Sequence, residues 1–155
     1  MLTLVKNGII VDSGLSFAGS LLINGEKIEK IFRADNYPTH KEYMDAVENL
    51  AADKVIDASG LHILPGVIDD QVHFREPGNT QKATIASESA AAVLGGVTSF
   101  MDMPNNNPPA ASLEALEEKF SIAAKDSYAN YSFYLGATNE NIDQIKNIDK
   151  EINHL

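Results

Sequence analysis

From residue 67 onward the sequence alternates between strand-like and helix-like segments, and this alternation restricts the fold more than any other feature. Predicted strands occupy residues 67–74, 97–103 and 130–135, and predicted helices occupy residues 82–94, 112–125 and 141–153. Strands that are connected through helices run parallel, and a parallel sheet normally has helices on its faces. The sequence therefore predicts an α/β fold with three consecutive strand-helix units.

The residues before this alternation follow a different pattern, made of short apolar runs separated by turn residues. Asn-Gly pairs at residues 7–8 and 24–25 lie between such runs, and each predicts a hairpin because both turn residues need a positive φ. The other predicted elements are a short helix within residues 41–50 and strands at residues 54–57 and 61–64. Residues 1–64 are therefore expected to form an N-terminal β segment, and residues 65–155 a second region of strand-helix units.

Residues 65–78 read PGVIDDQVHFREPG, with a Pro-Gly pair at each end that interrupts regular structure. The residues between the pairs have the composition of a strand, in which side chains alternate between faces. Four polar side chains are therefore expected on one face: Asp69, Gln71, His73 and Arg75. Such a set directly before a tight turn is more typical of a site at the carboxyl end of a strand than of a solvated edge strand.

This stretch resembles the first barrel strand of the amidohydrolase superfamily, whose pattern is Pro-Gly, two apolar residues and Asp-x-His-x-His. The Arg-Glu-Pro-Gly sequence at residues 75–78 resembles the form found in dihydroorotases. The resemblance implies that the two histidines of the pattern are metal ligands. His73 occupies the second position, whereas Gln71 stands where the family has the first histidine.

The resemblance covers essentially the whole chain but only the opening part of the family fold. It implies a (β/α)8 TIM-type barrel that begins with the three units of residues 65–155, preceded by half of a small β-sandwich in residues 1–64. A complete barrel needs eight units and about 250 residues, whereas this chain has 155 residues. We therefore expect the chain to be a fragment of a longer protein; an intact three-layer domain is the alternative.

His73 is the candidate metal ligand, because an imidazole nitrogen suits zinc; the alternative for a strand histidine is a structural hydrogen bond. Gln71 is a weaker candidate, since an amide oxygen is a poor zinc ligand, and it would either leave one metal position empty or brace the water on the metal. The resemblance implies one or two zinc ions, with the remaining ligands and a general-base Asp beyond Leu155. No catalytic residue is expected within the chain itself.

Arg75 is the candidate substrate-binding residue, because its planar guanidinium matches a carboxylate through two parallel hydrogen bonds. By resemblance to dihydroorotases it would bind the ring carboxylate of dihydroorotate. Asn105, in a Met-Pro-Asn sequence after the second predicted strand, would bind the same carboxylate. The alternatives are a salt bridge between Arg75 and Glu76, and a turn-forming role for Asn105 beside its prolines.

Two further features are expected to be structural. Asp102 lies on the second predicted strand, where a buried structural role is expected rather than catalysis. The Glu-Ala-Leu-Glu-Glu-Lys run at residues 114–119 is expected to be the solvated face of a helix.

The function implied by the resemblance is that of a dihydroorotase, which reversibly cyclises N-carbamoyl-L-aspartate to L-dihydroorotate in pyrimidine biosynthesis with the help of zinc. This chain alone is expected to be inactive, since the remaining ligands and the general base lie elsewhere. Two alternatives stay open. One is a catalytically inactive, dihydroorotase-like structural subunit, with Gln71 as the lesion; the other is a different cyclic amidohydrolase, such as an allantoinase or a hydantoinase.

The composition of the chain limits the classes of binding partner that are expected. The chain has 22 acidic and 12 basic residues, giving a net charge of −10, so nucleic acid and anionic membranes are not expected partners. It has no cysteine, so neither disulfides nor thiolate chemistry are expected of these residues, and without a basic stretch followed by an apolar run no signal peptide or membrane span is expected. We expect a cytoplasmic enzyme that takes a small carboxylated substrate and forms a homo-oligomer when full length.

Overall fold

The computed structural model describes residues 1–151, with side chains through residue 147, and the chain divides into two compact units, Met1–Pro65 and Gly66–Leu155. The elements of the first unit are β1 (Leu2–Asp12), β2 (Leu15–Asn24), β3 (Lys27–Arg33), a 3-10 turn (Ala34–Asn36), α1 (His40–Glu48), β4 (Lys54–Asp57) and β5 (His62–Ile63). Those of the second unit are β6 (Val67–Val72), α2 (Ile85–Leu94), β7 (Val97–Asp102), α3 (Leu113–Asp126), β8 (Asn130–Phe133) and α4 (Ile142–Glu151).

The first unit is a mixed sheet covered by one helix. Its strands follow the order β3-β2-β1-β4, and β5 also pairs with β1. The pairs β1–β2 and β2–β3 are antiparallel, whereas β4 and β5 run parallel to β1. A buried cluster joins the sheet to α1 and consists of Leu4, Leu22, Phe32, Tyr43 and Val47. The N-terminus of α1 is capped by Thr39, whose hydroxyl accepts the Glu42 amide at 3.2 Å.

The hairpin predicted at residues 7–8 is wrong. β1 runs through both residues, and its pairing with β2 changes register between Val5 and Gly8, where Asn7 has a φ of 64°. A positive φ serves a β-bulge as well as a turn, so the same residue pair gave a misleading signal. The hairpin turn lies instead at Ser13-Gly14, where both φ values are positive, whereas the hairpin predicted at residues 24–25 is confirmed between β2 and β3.

The second unit is the predicted strand-helix alternation. Strands β6, β7 and β8 form a parallel sheet in chain order, and α2 and α3 make the connections. The buried core between the sheet and the helices consists of Phe74, Ile85, Phe100, Leu116, Ala123, Ala129 and Phe133. This arrangement is the opening of a TIM-type barrel, as predicted. The last helix was expected to reach residue 153, and residues 152–153 lie outside the described residues.

Side-chain caps fix where the helices of the second unit begin. Thr84 and Ser87 form a reciprocal capping box at the start of α2, and Ser112 accepts the Ala115 amide at the start of α3. Within the described residues the longest helix is α3, with 14 residues. Across residues 1–151, no helix combines the length and the apolar character that crossing a bilayer requires.

Candidate functional site

The row of four polar side chains on one unbroken strand, predicted for residues 69–75, is wrong. β6 ends at Val72, and Asp69 is in register with Phe100 while Val72 is in register with Asp102. Three steps along β6 therefore match two steps along β7, and this extra residue interrupts the alternation of side chains. His73 and Arg75 thus lie in the segment after the strand, at its carboxyl end.

Arg75 has a left-handed backbone conformation, with a φ of 69°. Residues other than glycine rarely adopt such a φ, and one that does is often found at a functional site. The alternative of a salt bridge with Glu76 is not adopted: the Glu76 carboxylate accepts the Ile85 amide at the start of α2, at 2.7 Å. Within the described part of the chain, no ion pair involves Arg75.

The segment around Arg75 is bonded to the loop that follows β7. The side-chain Nδ2 of Asn106 donates to the Glu76 carbonyl at 2.8 Å, and the backbone amide of Asn107 donates to the Pro77 carbonyl at 3.4 Å. Gly78, with a φ of 94°, lies so close to the Asn107 carbonyl that any Cβ would overlap it. The two loops are therefore held in contact at the carboxyl ends of β6 and β7.

The same contact brings two predicted site residues together. His73 Nδ1 lies 3.0 Å from Asn105 Oδ1, and both side chains are exposed. Because an amide oxygen can only accept, Nδ1 is the donor in this contact, and in the neutral tautomer that fits it Nε2 bears the lone pair. Hydrogen bonding of one ring nitrogen is also what orients an imidazole that binds a metal through the other.

The described residues fit a metal ion only in part. His73 Nε2 is a suitable zinc ligand. Among the side chains described, those of residues 1–147, however, no three His, Cys, Asp or Glu are grouped closely enough to hold a metal. Zinc would need further ligands besides those of this part of the chain.

Gln71 lies in a cleft formed by the carboxyl ends of all three parallel strands. The cleft is also lined by Asp70, Met103, Pro104, Tyr134, Leu135, Gly136 and Ala137. The Tyr134 hydroxyl donates to the Asp70 carbonyl at 3.0 Å, which ties the third strand to the first. The Asp69 carboxylate accepts the Gln71 backbone amide at 3.1 Å, so Asp69 braces this segment through a hydrogen bond.

Lys119 was predicted to lie on a solvated helix face, but it is bonded to the end of β7 and to the loop that follows β7. Lys119 on α3 is fully buried, and its ammonium donates to Asp102 Oδ2 at 2.8 Å, to Asn106 Oδ1 at 2.7 Å and to the Met103 carbonyl at 3.2 Å. The other oxygen of Asp102 accepts the Phe74 amide at 2.9 Å. Burial lowers the pKa of Lys119, and the hydrogen bond from Lys119 to Asp102 offsets part of that decrease.

The prediction of a solvated face for residues 114–119 is therefore wrong at Lys119, whereas the buried, structural Asp102 is confirmed. The helical spacing did contain a signal. Lys119 lies three residues after Leu116 and four before Ala123, both of which are buried, so it falls on the apolar face of α3. A charged residue on that face requires a buried partner.

Known proteins resemble this chain in sequence and in fold. A dihydroorotase of Streptococcus thermophilus is 40% identical over 126 residues, which are 80% of this chain and 27% of that protein. An allantoinase of Desulfitobacterium hafniense is 42% identical over 96 residues, which are 61% of this chain and 21% of that protein. This chain therefore spans less than a third of the length of either relative.

Solved structures resemble this chain in fold as well. An L-hydantoinase (dihydropyrimidinase) from Arthrobacter aurescens superposes with a TM-score of 0.80 at 26% identity, over 97% of this chain and 31% of that chain. The model of the Amidohydrolase family matches residues 62–155, which are more than half of the sequence and include the whole second unit up to its end. On this match, together with the parallel strand-helix order, the chain belongs to the amidohydrolase family.

Proposed function

We propose that the whole enzyme to which this chain contributes is a dihydroorotase, which interconverts N-carbamoyl-L-aspartate and L-dihydroorotate. One observation carries the proposal: Arg75 and Asn105 lie on two loops that are bonded to each other at the carboxyl ends of adjacent parallel strands. Sites in barrels of this type lie at that end of the strands. The similarity to a dihydroorotase over 80% of the chain supports the same assignment.

The two side chains offer the donors that a carboxylate needs. Arg75 has a guanidinium that no acid occupies within the described residues. Asn105 uses its Oδ1 to accept from His73, which leaves the Nδ2 hydrogens for a ligand. Guanidinium and amide N–H groups together would orient a ring carboxylate, and with it the amide that is cleaved or closed.

The chemistry that zinc would supply when bound is Lewis-acid activation of water as a nucleophile for the hydrolytic direction. Of the described residues, His73 would hold the zinc through Nε2, with the ring fixed by Asn105. The further ligands and the general base belong to the rest of the enzyme, so this chain by itself is inactive. A cytoplasmic, homo-oligomeric enzyme of pyrimidine biosynthesis is part of the same proposal.

The substrate assignment is tested by replacing Arg75 with Leu in the zinc-loaded whole enzyme. Loss of two charge-assisted hydrogen bonds should lower kcat/KM for L-dihydroorotate about 100-fold. Lys82→Leu is the matched control, since Lys82 is an exposed cation seven residues further along, and it should leave the kinetics unchanged. Unchanged kinetics in Arg75→Leu would contradict a carboxylated substrate and favour an allantoinase or a hydantoinase, enzymes that also resemble this chain.

Gln71 favours a second candidate function, that of a dihydroorotase-like subunit without activity. A neutral amide replaces an imidazole at a position where the family has a metal ligand, and amide oxygen binds zinc far more weakly. Metal content and turnover of the whole protein, with and without Gln71→His, separate the two functions. An inactive subunit would hold less than one zinc per chain and gain metal on Gln71→His, whereas an active enzyme would hold zinc and turn over without the substitution.

A further inference from the structure

Arg75 lies between two backbone groups that are both anchored to partners of one buried lysine. On one side, the Phe74 amide donates to Asp102 Oδ1 at 2.9 Å. On the other, the Glu76 carbonyl accepts from Asn106 Nδ2 at 2.8 Å. Lys119 donates to the remaining oxygen of Asp102 and to Oδ1 of Asn106, at 2.8 Å and 2.7 Å.

These anchors act on a residue whose conformation is unfavourable. A residue with a side chain disfavours the left-handed region roughly tenfold relative to its ordinary conformations. Arg75 adopts it with a φ of 69°. The Phe74 N–H and the Glu76 carbonyl, one on each side of Arg75, are both held by side-chain hydrogen bonds, so the backbone between these two anchors is restricted in its freedom to relax to a negative φ.

The lysine is suited to organising both anchors at once. Its ammonium has three N–H donors and no acceptor, and the three acceptors around it are Asp102 Oδ2, Asn106 Oδ1 and the Met103 carbonyl. By taking the oxygen of the Asn106 amide, Lys119 turns the nitrogen of that amide toward Glu76. By taking one oxygen of Asp102, it leaves the other for Phe74.

We infer that Lys119 is a positioning residue of the substrate site: it holds Arg75 in the left-handed conformation and so sets the direction of the guanidinium. The inference rests on the proposed function in that the ligand of Arg75 is taken to be a carboxylate. Lys119 acts through two intermediaries and the backbone and has no contact with substrate, so its effect on binding requires the Arg75 side chain.

A double-mutant cycle tests this dependence in the whole enzyme. The affinity for L-dihydroorotate is measured by calorimetry for the wild type, Lys119→Met, Arg75→Leu and the double variant. If the correct Arg75 conformation falls to about a tenth of the molecules, Lys119→Met weakens binding roughly tenfold. In the Arg75→Leu background the same substitution should weaken binding less than twofold, because the side chain that Lys119 positions is gone. An equal loss in both backgrounds would overturn the inference.

The backbone itself is measured by the φ of residue 75 in crystal structures of the variants. Lys119→Met should release Arg75 to a negative φ, while Lys125→Met, an exposed lysine on the same helix, should leave it near its present value. An unchanged φ in Lys119→Met refutes the inference. If that variant does not fold, Asn106→Ala removes the anchor on Glu76 and leaves the Lys119–Asp102 pair intact. A negative φ at residue 75 in this variant would then support the inference, and an unchanged φ would refute it.

Failure of the proposed function has a separate signature. If L-dihydroorotate binds equally well to the wild type and to Arg75→Leu, the carboxylate assignment is wrong. The φ of residue 75 in the Lys119 and Asn106 variants still shows whether Lys119 positions the loop.

Discussion

The two units of the chain both bury polar side chains, but they use different chemistry. In the first unit the Ser20 hydroxyl, fully buried beneath α1, lies 2.6 Å from the Tyr43 hydroxyl and also accepts the Asn7 amide at 3.2 Å. The second unit also buries neutral groups such as Ser89 and Asn106, but in addition it buries an ion pair, in which Lys119 and Asp102 lie 2.8 Å apart and are both almost without exposure. Within the described part of the chain, no buried side-chain nitrogen or oxygen lacks a partner.

The difference follows from what each pair holds in place. The Ser20–Tyr43 bond joins a helix to a strand inside a sheet unit, where apolar packing already fixes the geometry. Lys119 and Asp102 instead hold the backbone of the segments that follow β6 and β7, through the Phe74 amide and the Met103 carbonyl. A buried ion pair adds little net stability compared with apolar packing, but it demands a defined geometry. In this chain the buried ion pair therefore holds backbone groups in position, whereas the neutral pair adds to a helix–strand contact that apolar packing already forms.

The largest expected effect comes from breaking the ionic pair on one side. Lys119→Met leaves a buried Asp102 carboxylate without its counter-ion and should lower the free energy of unfolding by about 3–5 kcal/mol. Urea unfolding measures the loss, and hydrogen exchange of the β7 and α3 amides locates it in the second unit. Lys125→Met on the same helix is the control and should change stability by no more than about 0.5 kcal/mol.

Adding Asp102→Asn to Lys119→Met sharpens the same point. A neutral amide removes the unpaired charge, while its oxygen can still accept the Phe74 amide, so the double variant should be more stable than Lys119→Met alone. A double variant that is less stable than the single one would show that the charge of Asp102 is not the source of the loss.

The sequence was sufficient for the elements and the order of the second unit, because strand-like and helix-like segments alternate clearly along it. It was not sufficient for the exact path of β6, because a bulge leaves no composition signal in a strand. Asn7-Gly8 shows the converse: a strong local signal for positive φ was correct, but tertiary pairing used it for a bulge instead of a turn.

The sequence motif indicates the residues of the candidate site but not the hydrogen-bond network around them. The motif pointed to His73, Arg75 and Asn105, and the contact between His73 and Asn105 follows from their positions after adjacent parallel strands. Lys119 was missed because a lysine beside two glutamates is typical of a solvated helix face. Its partner Asp102 lies 17 residues away in a different element, and a local sequence pattern does not predict a contact over that separation.

A smaller effect is expected from breaking the neutral pair of the first unit. Tyr43→Phe removes one hydroxyl, but Ser20 keeps its hydrogen bond with the Asn7 amide, so the free energy of unfolding should fall by only about 1 kcal/mol. Urea unfolding provides the measurement. Tyr37→Phe is the control, since its ring packs edge-on against Tyr43, and it should have a smaller effect. A loss as large as that of Lys119→Met would remove the distinction between the units.

The smallest effect is expected from a carboxylate at the surface of the first unit. A lowered pKa means that the charged form is disfavoured in a lysine but favoured in a carboxylate. The pKa of Lys119 is lowered because burial disfavours its charge, whereas the pKa of exposed Asp57 is lowered because Ser59, through its hydroxyl at 2.7 Å and its amide at 3.0 Å, favours the charge. The Asp57 contribution to stability is therefore present above its ordinary pKa of 3.8 and is lost as the pH falls through the lowered value in the folded state. Thermal unfolding of the wild type and of Asp57→Asn should differ slightly at neutral pH and converge as the pH falls well below the ordinary pKa of 3.8. A difference that stays constant across this range would mean that the hydrogen bonds of Asp57, and not its charge, stabilise the turn.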